Sequence, residues 1–250
     1  GSKSIAIGHS ALEAQNFTAA TDAHNIAIGD NTGKGITTGI ENTLMGGLAG
    51  DALTGGGFSG DTRQVGADLN VALGYRALTV DTKGNRTVAV GAYALQTQNF
   101  TSSTITYNTA VGYEAGSGVT DGQYNTLIGY QAGDAITSGD SNTVLGHQAL
   151  TTEDTNAANT AIGHKALYTQ NGADGNTAMG AEAAYSLTNA SGVVALGYQA
   201  SYYGAGADGV TAVGAAAGKF QTTGAYSTFI GHQAGQGITG AKLTGNYNTA

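Results

Sequence analysis

The segment Asn159-Thr160-Ala161-Ile162-Gly163-His164-Lys165-Ala166 recurs, with substitutions, along almost the whole chain. Its pattern is a polar residue, a β-branched residue, a small residue, a large aliphatic residue, glycine, two variable residues and alanine. The glycine, called the anchor glycine below, occurs thirteen times: Gly8, Gly29, Gly46, Gly74, Gly91, Gly112, Gly129, Gly146, Gly163, Gly180, Gly197, Gly214 and Gly231. A recurrence of this kind is typical of a repeat architecture.

The spacing of the anchor glycines divides the chain into an irregular and a regular part. The steps are 21, 17, 28, 17 and 21 residues, followed by seven steps of 17. We therefore predict one repeat domain over residues 4–250, irregular over 4–112 and regular over 113–250. Residues 1–3 are interpreted as a tag remnant. Because residues 248–250 begin a fourteenth copy, we expect the chain to be a fragment of a longer protein.

The composition excludes several classes of protein. The 250 residues include 42 Gly but no Pro, Trp or Cys, and only 10% are charged, with a net charge of −8. The few Lys and Arg residues are scattered, which disfavours nucleic acid or an anionic membrane as partner. No apolar run is long enough to span a bilayer. The absence of Cys excludes disulfides and thiolate metal sites.

Alternation within the repeat predicts a short β-strand. Thr160 and Ile162 share one face, while Ala161 and Gly163 share the other. We expect the β-branched and aliphatic face to be buried. Turn residues between the segments complete a coil of two short strands and two turns, so the chain forms an all-β solenoid of about 13 coils with a 17-residue period. Parallel coils would stack about 4.8 Å apart.

An asparagine precedes the β-branched residue in eight copies. In a parallel, in-register stack, these side chains lie above one another and are able to form hydrogen-bonded ladders. We therefore predict a structural role for Asn25, Asn42, Asn70, Asn108, Asn125, Asn142, Asn159 and Asn176.

The aliphatic content of a coil is small. The coil from His147 to Gly163 contains only two large aliphatic residues, Leu150 and Ile162. Because ordering a chain segment is costly, more surface must be buried than a single thin solenoid provides. We expect this burial to come from self-association through the small-residue face.

Three insertions interrupt the regular period, and insertions in stacked repeats form loops that often bind partners. The segments around residues 15–22 and 98–106 each carry four extra residues and share the sequence Gln-Asn-Phe-Thr. The middle insertion adds eleven residues within 51–70, and the insertion around residues 98–106 is called the third insertion below. Our candidate receptor contacts in these loops are Phe17, Phe58, Arg63 and Phe100.

No catalytic, metal-binding or cofactor-binding constellation stands out, so we do not expect an enzyme or a cofactor. His or Tyr follows the anchor glycine in eight copies, which predicts a stacked aromatic rim rather than a catalytic base. A metal site between His147 and His164 is a minor alternative, because these residues fall on adjacent coils.

The repeat resembles known families of fibrous proteins. Ser4-Ile5-Ala6-Ile7-Gly8 is similar to the Ser-Val-Ala-Ile-Gly-x-x-Ala core of YadA-like trimeric autotransporter adhesin heads. The 17-residue form, as in Tyr124-Asn125-Thr126-Leu127-Ile128-Gly129-Tyr130-Gln131-Ala132-Gly133, looks even more like repeats of bacteriophage tail fibres. The resemblance implies a left-handed parallel β-roll of three chains side by side, located outside the cell or on a virion.

These observations favour a structural and adhesive fibre segment that attaches to a cell-surface glycan or protein receptor. Its source would be a phage tail fibre or a bacterial surface adhesin, and its main partner a further copy of itself. Nucleic-acid binding and membrane insertion are not expected. Two alternatives remain open, a monomeric ice-binding solenoid that uses the threonine row and a fibre-borne enzyme that degrades glycans.

Overall fold

The computed structural model describes residues 3–17, 20–55, 66–152, 155–170, 172–237 and 245–250. The chain divides into two compact units, Gly1–Asn125 and Thr126–Ala250. Within the described residues both units are all-β and contain no helix. Phe58 and Arg63 lie outside the described residues.

Short strands of the first unit lie side by side in one parallel sheet. In the described residues its members are β1 (Ile5–Ile7), β2 (Ile26–Ile28), β3 (Thr43–Met45), β4 (Val71–Leu73), β6 (Val88–Val90) and β8 (Thr109–Val111). A separate parallel pair, β5 (Gly84–Asn85) and β7 (Thr104–Ile105), lies at the third insertion.

The second unit repeats the same arrangement with greater regularity. Its described strands are β9 (Thr126–Ile128), β10 (Thr143–Leu145), β11 (Thr160–Ile162), β12 (Thr177–Met179), β13 (Val194–Leu196), β14 (Thr211–Val213) and β15 (Thr228–Ile230). Neighbouring strands are parallel and pair at equivalent repeat positions, as in Thr143 with Thr160 and Leu145 with Ile162.

The pairing confirms the predicted parallel β-solenoid with a period of about 17 residues, and the chain has about 12 turns. The prediction of two strands per coil is wrong for most coils. Among the described residues, the second stretch is a strand only in β5 and β7. In the other coils, the backbone of the second stretch forms isolated hydrogen bonds to the adjacent coil. The Thr169 N–H, for example, donates to the Tyr185 carbonyl at 2.8 Å.

The strands point their side chains opposite to the predicted direction. The middle residue of each strand from β2 onward faces the interior, and Ala161, for example, has no exposed surface. The two flanking residues face outward, so that Leu145 is 46% exposed and Met179 is 47% exposed. Our expectation of a buried aliphatic face is therefore wrong. The interior takes the middle side chain of each strand, which is alanine in most coils and a larger residue in others, such as Leu127, Val144 and Phe229.

Alanine and larger side chains together fill the interior of each coil. The alanine three residues after the anchor glycine is fully buried in nearly every described coil, as at Ala132 and Ala166. In one type of coil a buried leucine follows it, as in Leu167, while Gln170 lies buried three residues later. In the other type, glycine follows the alanine. An aliphatic residue such as Ile136 is then buried four residues after the alanine, at the position of Gln170 in the first type.

The anchor glycines allow successive coils to approach closely. Gly163 has a φ of +131°, and a Cβ added to it would lie 2.6 Å from the carbonyl oxygen of Gly180. The other described coils show similar values, for example at Gly129 beside Gly146. A side chain at this position would force neighbouring backbones apart, which explains why every copy has glycine here.

The predicted asparagine ladder is confirmed, with a different geometry from amide-to-amide pairing. The side-chain oxygen of Asn159 accepts the backbone N–H of Asn176 at 2.9 Å, and Asn142 does the same for Asn159 at 3.0 Å. The amide nitrogen often donates to a carbonyl of its own coil, as from Asn25 to Gly39 at 2.7 Å. Where both bonds form, as at Asn42 and Asn70, the buried asparagine links two coils and closes one of them.

Candidate functional surfaces

The most extensive feature of each unit is an apolar strand face directed to solvent. We call it the outer face, and it consists of the residues one and three positions before each anchor glycine. Six of the thirteen aliphatic residues are exposed, among them Met45 and Met179 at 47% and Leu145 at 46%, and the other seven are partly exposed. Exposed apolar surface of this extent commonly marks an interaction site.

The outer face contains only Thr, Val, Ile, Leu and Met in all thirteen copies, with no charged residue. Thr occupies the β-branched row in eight copies. Because adjacent strands pair in register, equivalent side chains recur along each sheet at the spacing between strands, about 4.8 Å. The face is thus periodic and uncharged within each unit.

The predicted aromatic rim is confirmed in the second unit, next to the outer face. The rings of Tyr130 and His147 stack with centroids 5.0 Å apart, and His147 and His164 follow at 5.4 Å. Among the described residues, no group of three or more His, Asp or Glu is placed to hold a metal ion. The geometry of these rings is that of a packed stack.

A second aromatic row was missed by sequence reasoning. Tyr168, Tyr185 and Tyr202 lie five residues after successive anchor glycines, and their centroids are 5.0 and 4.8 Å apart. Lys165 lies 5.0 Å from the Tyr168 ring and caps the row. The 17-residue spacing of these tyrosines was the available signal. Because the rings stack face to face, their faces are covered by one another.

Two of the four predicted contact residues, Phe17 and Phe100, lie in the described part of the chain. Phe17 is partly exposed next to residues outside the described part, while Phe58 and Arg63 lie outside it. Phe100 is only 6% exposed. Its ring packs inside the third insertion, and this placement favours a role in shaping the loop over direct contact with a partner.

A buried carboxylate organises the loop around Phe100. Asp81 accepts hydrogen bonds from the side-chain amide of Gln98 at 2.6 Å and from the backbone N–H groups of Phe100 at 3.1 Å and Gly84 at 3.0 Å. Gln98 in turn accepts from the Asn108 amide at 2.8 Å. Burial raises the pKa of Asp81 above its usual value, while these donors act in the opposite direction.

A polar pocket lies beside this loop. Its cavity volume is about 320 Å³. The residues that line it are Asn99, Phe100, Thr101, Ser102, Thr104, Asp121 and Gln123. The third insertion forms one wall, and the next coil of the same unit forms the other.

Two further carboxylates are partly buried in the first unit. Burial raises the pKa of Asp68, and its Oδ1 accepts the Ile40 N–H at 2.9 Å. Burial also raises the pKa of Asp51, although Arg76 and Lys34 lie near enough to act in the opposite direction. These carboxylates lie on different coils and do not form the paired arrangement that acid–base catalysis uses.

The described part of the chain contains no helix that is long and apolar enough to cross a membrane.

Comparison with known proteins gives no family assignment. No family model matches the chain, and no curated protein is similar enough to count as a relative. The class of protein established here is therefore that of the fold, a parallel β-solenoid.

Proposed function

We propose that this chain is a segment of an extracellular homotrimeric fibre that attaches to a cell surface, as part of a phage tail fibre or a bacterial adhesin. The observation that carries the proposal is the outer face. It is long, uncharged and apolar, and it lies open in the single chain. Burial of such a face against another protein surface is favourable by about 25 cal/mol per Å².

The proposed occupant of the outer face is a second and a third copy of the same chain. A parallel copy presents its own rows at the same spacing, so that side chains meet in register in every coil. A partner without this period would match the face at only a few positions. The number three and the left-handed coil come from the resemblance to trimeric adhesin heads and tail fibres.

The proposed contact differs from the one expected from sequence. The small residues that we expected to mediate self-association point into the coil, where Ala161 and Ala178 are fully buried. Self-association is therefore proposed through the aliphatic face, whose exposed area supplies the additional burial that a thin coil needs.

The test is the mass of the native protein in solution, measured by light scattering during gel filtration. We expect about three times the 24.8 kDa chain mass for the unmodified protein. The Leu145→Lys and Met179→Lys double variant places two charges on the outer face and should give a monomer with unchanged circular dichroism. Ser138→Lys adds a charge at an exposed turn and is the matched control, which should remain trimeric.

A monomeric unmodified protein would contradict the proposal, as would a trimeric double variant.

Cell attachment is tested separately by binding of fluorescently labelled protein to a panel of intact bacteria, with labelled Leu145→Lys, Met179→Lys protein for comparison. We expect weaker binding by the monomeric variant, because three linked sites bind a surface more tightly than one.

Ice binding is the second candidate, and the outward threonine row favours it. The threonine row shares the outer face with the aliphatic row, and both point to solvent, as Thr143 and Leu145 do. An array of this kind is available for contact with an ordered surface only if the face is free of other chains. The two candidates therefore make opposite predictions about the oligomeric state.

Thermal hysteresis of the monomeric fraction separates the two candidates. Ice binding predicts measurable hysteresis that is lost in Thr143→Lys and Thr160→Lys variants and kept in Ser138→Lys. The absence of hysteresis in a monomeric protein would remove this candidate.

A further inference from the structure

We propose that the pocket between residues 99–104 and 121–123 binds a neutral sugar ring. This inference rests on the proposed attachment function, since it names the chemistry that the fibre would recognise. The pocket has a volume of about 320 Å³ and lies entirely within the first unit. Small-molecule sites commonly have volumes of about 300–1,000 Å³.

Buried groups hold the loop in place before any ligand arrives. The Phe100 N–H donates to Asp81 at 3.1 Å, and the hydroxyl of Thr82 donates to the Phe100 carbonyl at 2.8 Å. The Asn99 N–H donates to the carbonyl of Thr120 on the next coil at 2.8 Å. With the Phe100 ring buried as well, the backbone of this wall is fixed on both sides. A preformed wall reduces the entropy lost on binding.

The lining has the hydrogen-bonding groups that sugar hydroxyls require. Asn99 has an amide group whose oxygen also accepts from the Thr82 hydroxyl at 3.2 Å, and Thr104 has a hydroxyl that donates to the Ser102 carbonyl at 3.0 Å. The Ser102 hydroxyl also lines the pocket. Asp121 supplies one carboxylate, whose Oδ1 accepts from the Thr120 hydroxyl at 3.2 Å and which has further lone pairs for a sugar hydroxyl. A ring with several hydroxyls matches this mixture of donors and acceptors.

The same lining disfavours two other classes of ligand. None of the seven lining residues is Lys or Arg, so an anionic ligand such as a phosphate or a sialic acid would lack a positive partner. A calcium ion takes six to eight oxygen ligands, usually with several carboxylates, and the pocket has one carboxylate. A neutral sugar remains the best match.

The experiment is saturation-transfer difference NMR on the whole chain with methyl glycosides of glucose, galactose, mannose and N-acetylglucosamine. We expect saturation transfer to at least one of these probes. Asp121→Asn should weaken its binding about tenfold or more, because a hydrogen bond to a charged group is lost. Asp140→Asn changes an exposed carboxylate outside the pocket and should bind like the unmodified protein.

Failure to bind any of the four glycosides would overturn the inference, as would equal binding by Asp121→Asn and the unmodified protein. Transfer to sialic acid alone would also contradict it. A protein that binds a glycoside in the pocket but does not attach to cells would contradict the proposed function alone. If Asp121→Asn attaches to cells as well as the unmodified protein does, the proposed function stands, and the inference that the pocket recognises the cell surface is wrong.

Discussion

At the scale of single residues, Asp68 and Asn85 illustrate how the solenoid uses one position in different coils. Each lies six residues before its anchor glycine. The Oδ1 of Asp68 accepts the Ile40 N–H at 2.9 Å, and the Oδ1 of Asn85 accepts the Asp68 N–H at 2.8 Å. A carboxylate and an amide thus make the same bond between coils. Only the carboxylate carries a charge, and burial raises its pKa.

Asp68→Asn should therefore change how stability depends on pH. Because the folded-state pKa is raised, the stabilising effect of Asp68 is fully present below the unfolded pKa, about 3.9, and is lost as pH rises through the folded pKa. Asparagine keeps the bond to Ile40 without the buried charge. We expect Asp68→Asn to be more stable than the unmodified protein at neutral pH, with the difference shrinking in acid.

Urea unfolding followed by circular dichroism at several pH values measures this effect. Asp140→Asn, at the same repeat position in an exposed setting, is the control and should follow the unmodified protein. Parallel pH profiles for Asp68→Asn and the unmodified protein would contradict the prediction.

At the scale of the coil, the anchor glycine differs from a glycine at an open turn such as Gly175. A Cβ at Gly163 would lie 2.6 Å from a backbone oxygen, whereas a Cβ at Gly175, with a φ of +68°, would meet nothing within 4 Å. Gly163→Ala should cost about 3 kcal/mol or more, because both the strained φ and the clash contribute. Gly175→Ala should cost about 1–2 kcal/mol through its φ alone.

The two alanine variants are compared by urea unfolding under identical conditions. The control is built into the pair, since the same methyl group is added to a glycine with positive φ in both. Equal losses of stability would show that close approach of the coils does not explain the glycine at the anchor position.

The two types of coil core provide a second test at this scale. A Cβ at Gly133 would lie 2.8 Å from Leu127 and 2.9 Å from Ile136, so Gly133→Leu alone overpacks the coil. We expect it to cost about 1–3 kcal/mol. Adding Leu127→Ala and Ile136→Gln reproduces the residues of the coil that contains Leu167 and should recover most of the loss.

Thermal unfolding of the single and triple variants measures this coupling. Leu127→Ala with Ile136→Gln, without the added leucine, is the control and should be less stable than the triple variant because it leaves a cavity. A triple variant no more stable than this control would contradict the compensation.

The sequence predicted the repeat, the parallel pairing and the asparagine ladder because each depends only on spacing. It did not predict which strand face is inside, since alternation defines two faces without a direction. Two signals were present. Asn159 shares its face with Ala161, and an alanine recurs three residues after the anchor glycine, so these recurring residues mark the inner face.

The sequence also did not predict which residues line the pocket. The third insertion was identified from its length, and Phe100 was selected as its prominent side chain. The structure buries that ring and places Asp121 of the next coil beside the loop. Which residues of adjacent coils meet depends on how the extra residues fold, and spacing alone does not determine that.

At the scale of the whole molecule, the charge distribution makes a prediction about assembly. The outer face carries no charge in any copy, although the chain has a net charge of −8. Association through this face should therefore be insensitive to sodium chloride or slightly strengthened by it, because salt screens the repulsion between chains. Sedimentation velocity at low and high salt tests this, and dissociation on adding salt would point to a charged interface instead.

Because every coil of the regular part offers its neighbours the same backbone bonds and the same side-chain rows, a coil is exchangeable as a unit. Recombination between two coding repeats would delete or duplicate seventeen codons and leave the remaining rows in alignment. The gene is thus able to change the length of its product in fixed increments, while extra residues that are not a whole period have to form a loop, as the insertions of the first unit do. Natural length variants of such a protein should accordingly differ by multiples of one period.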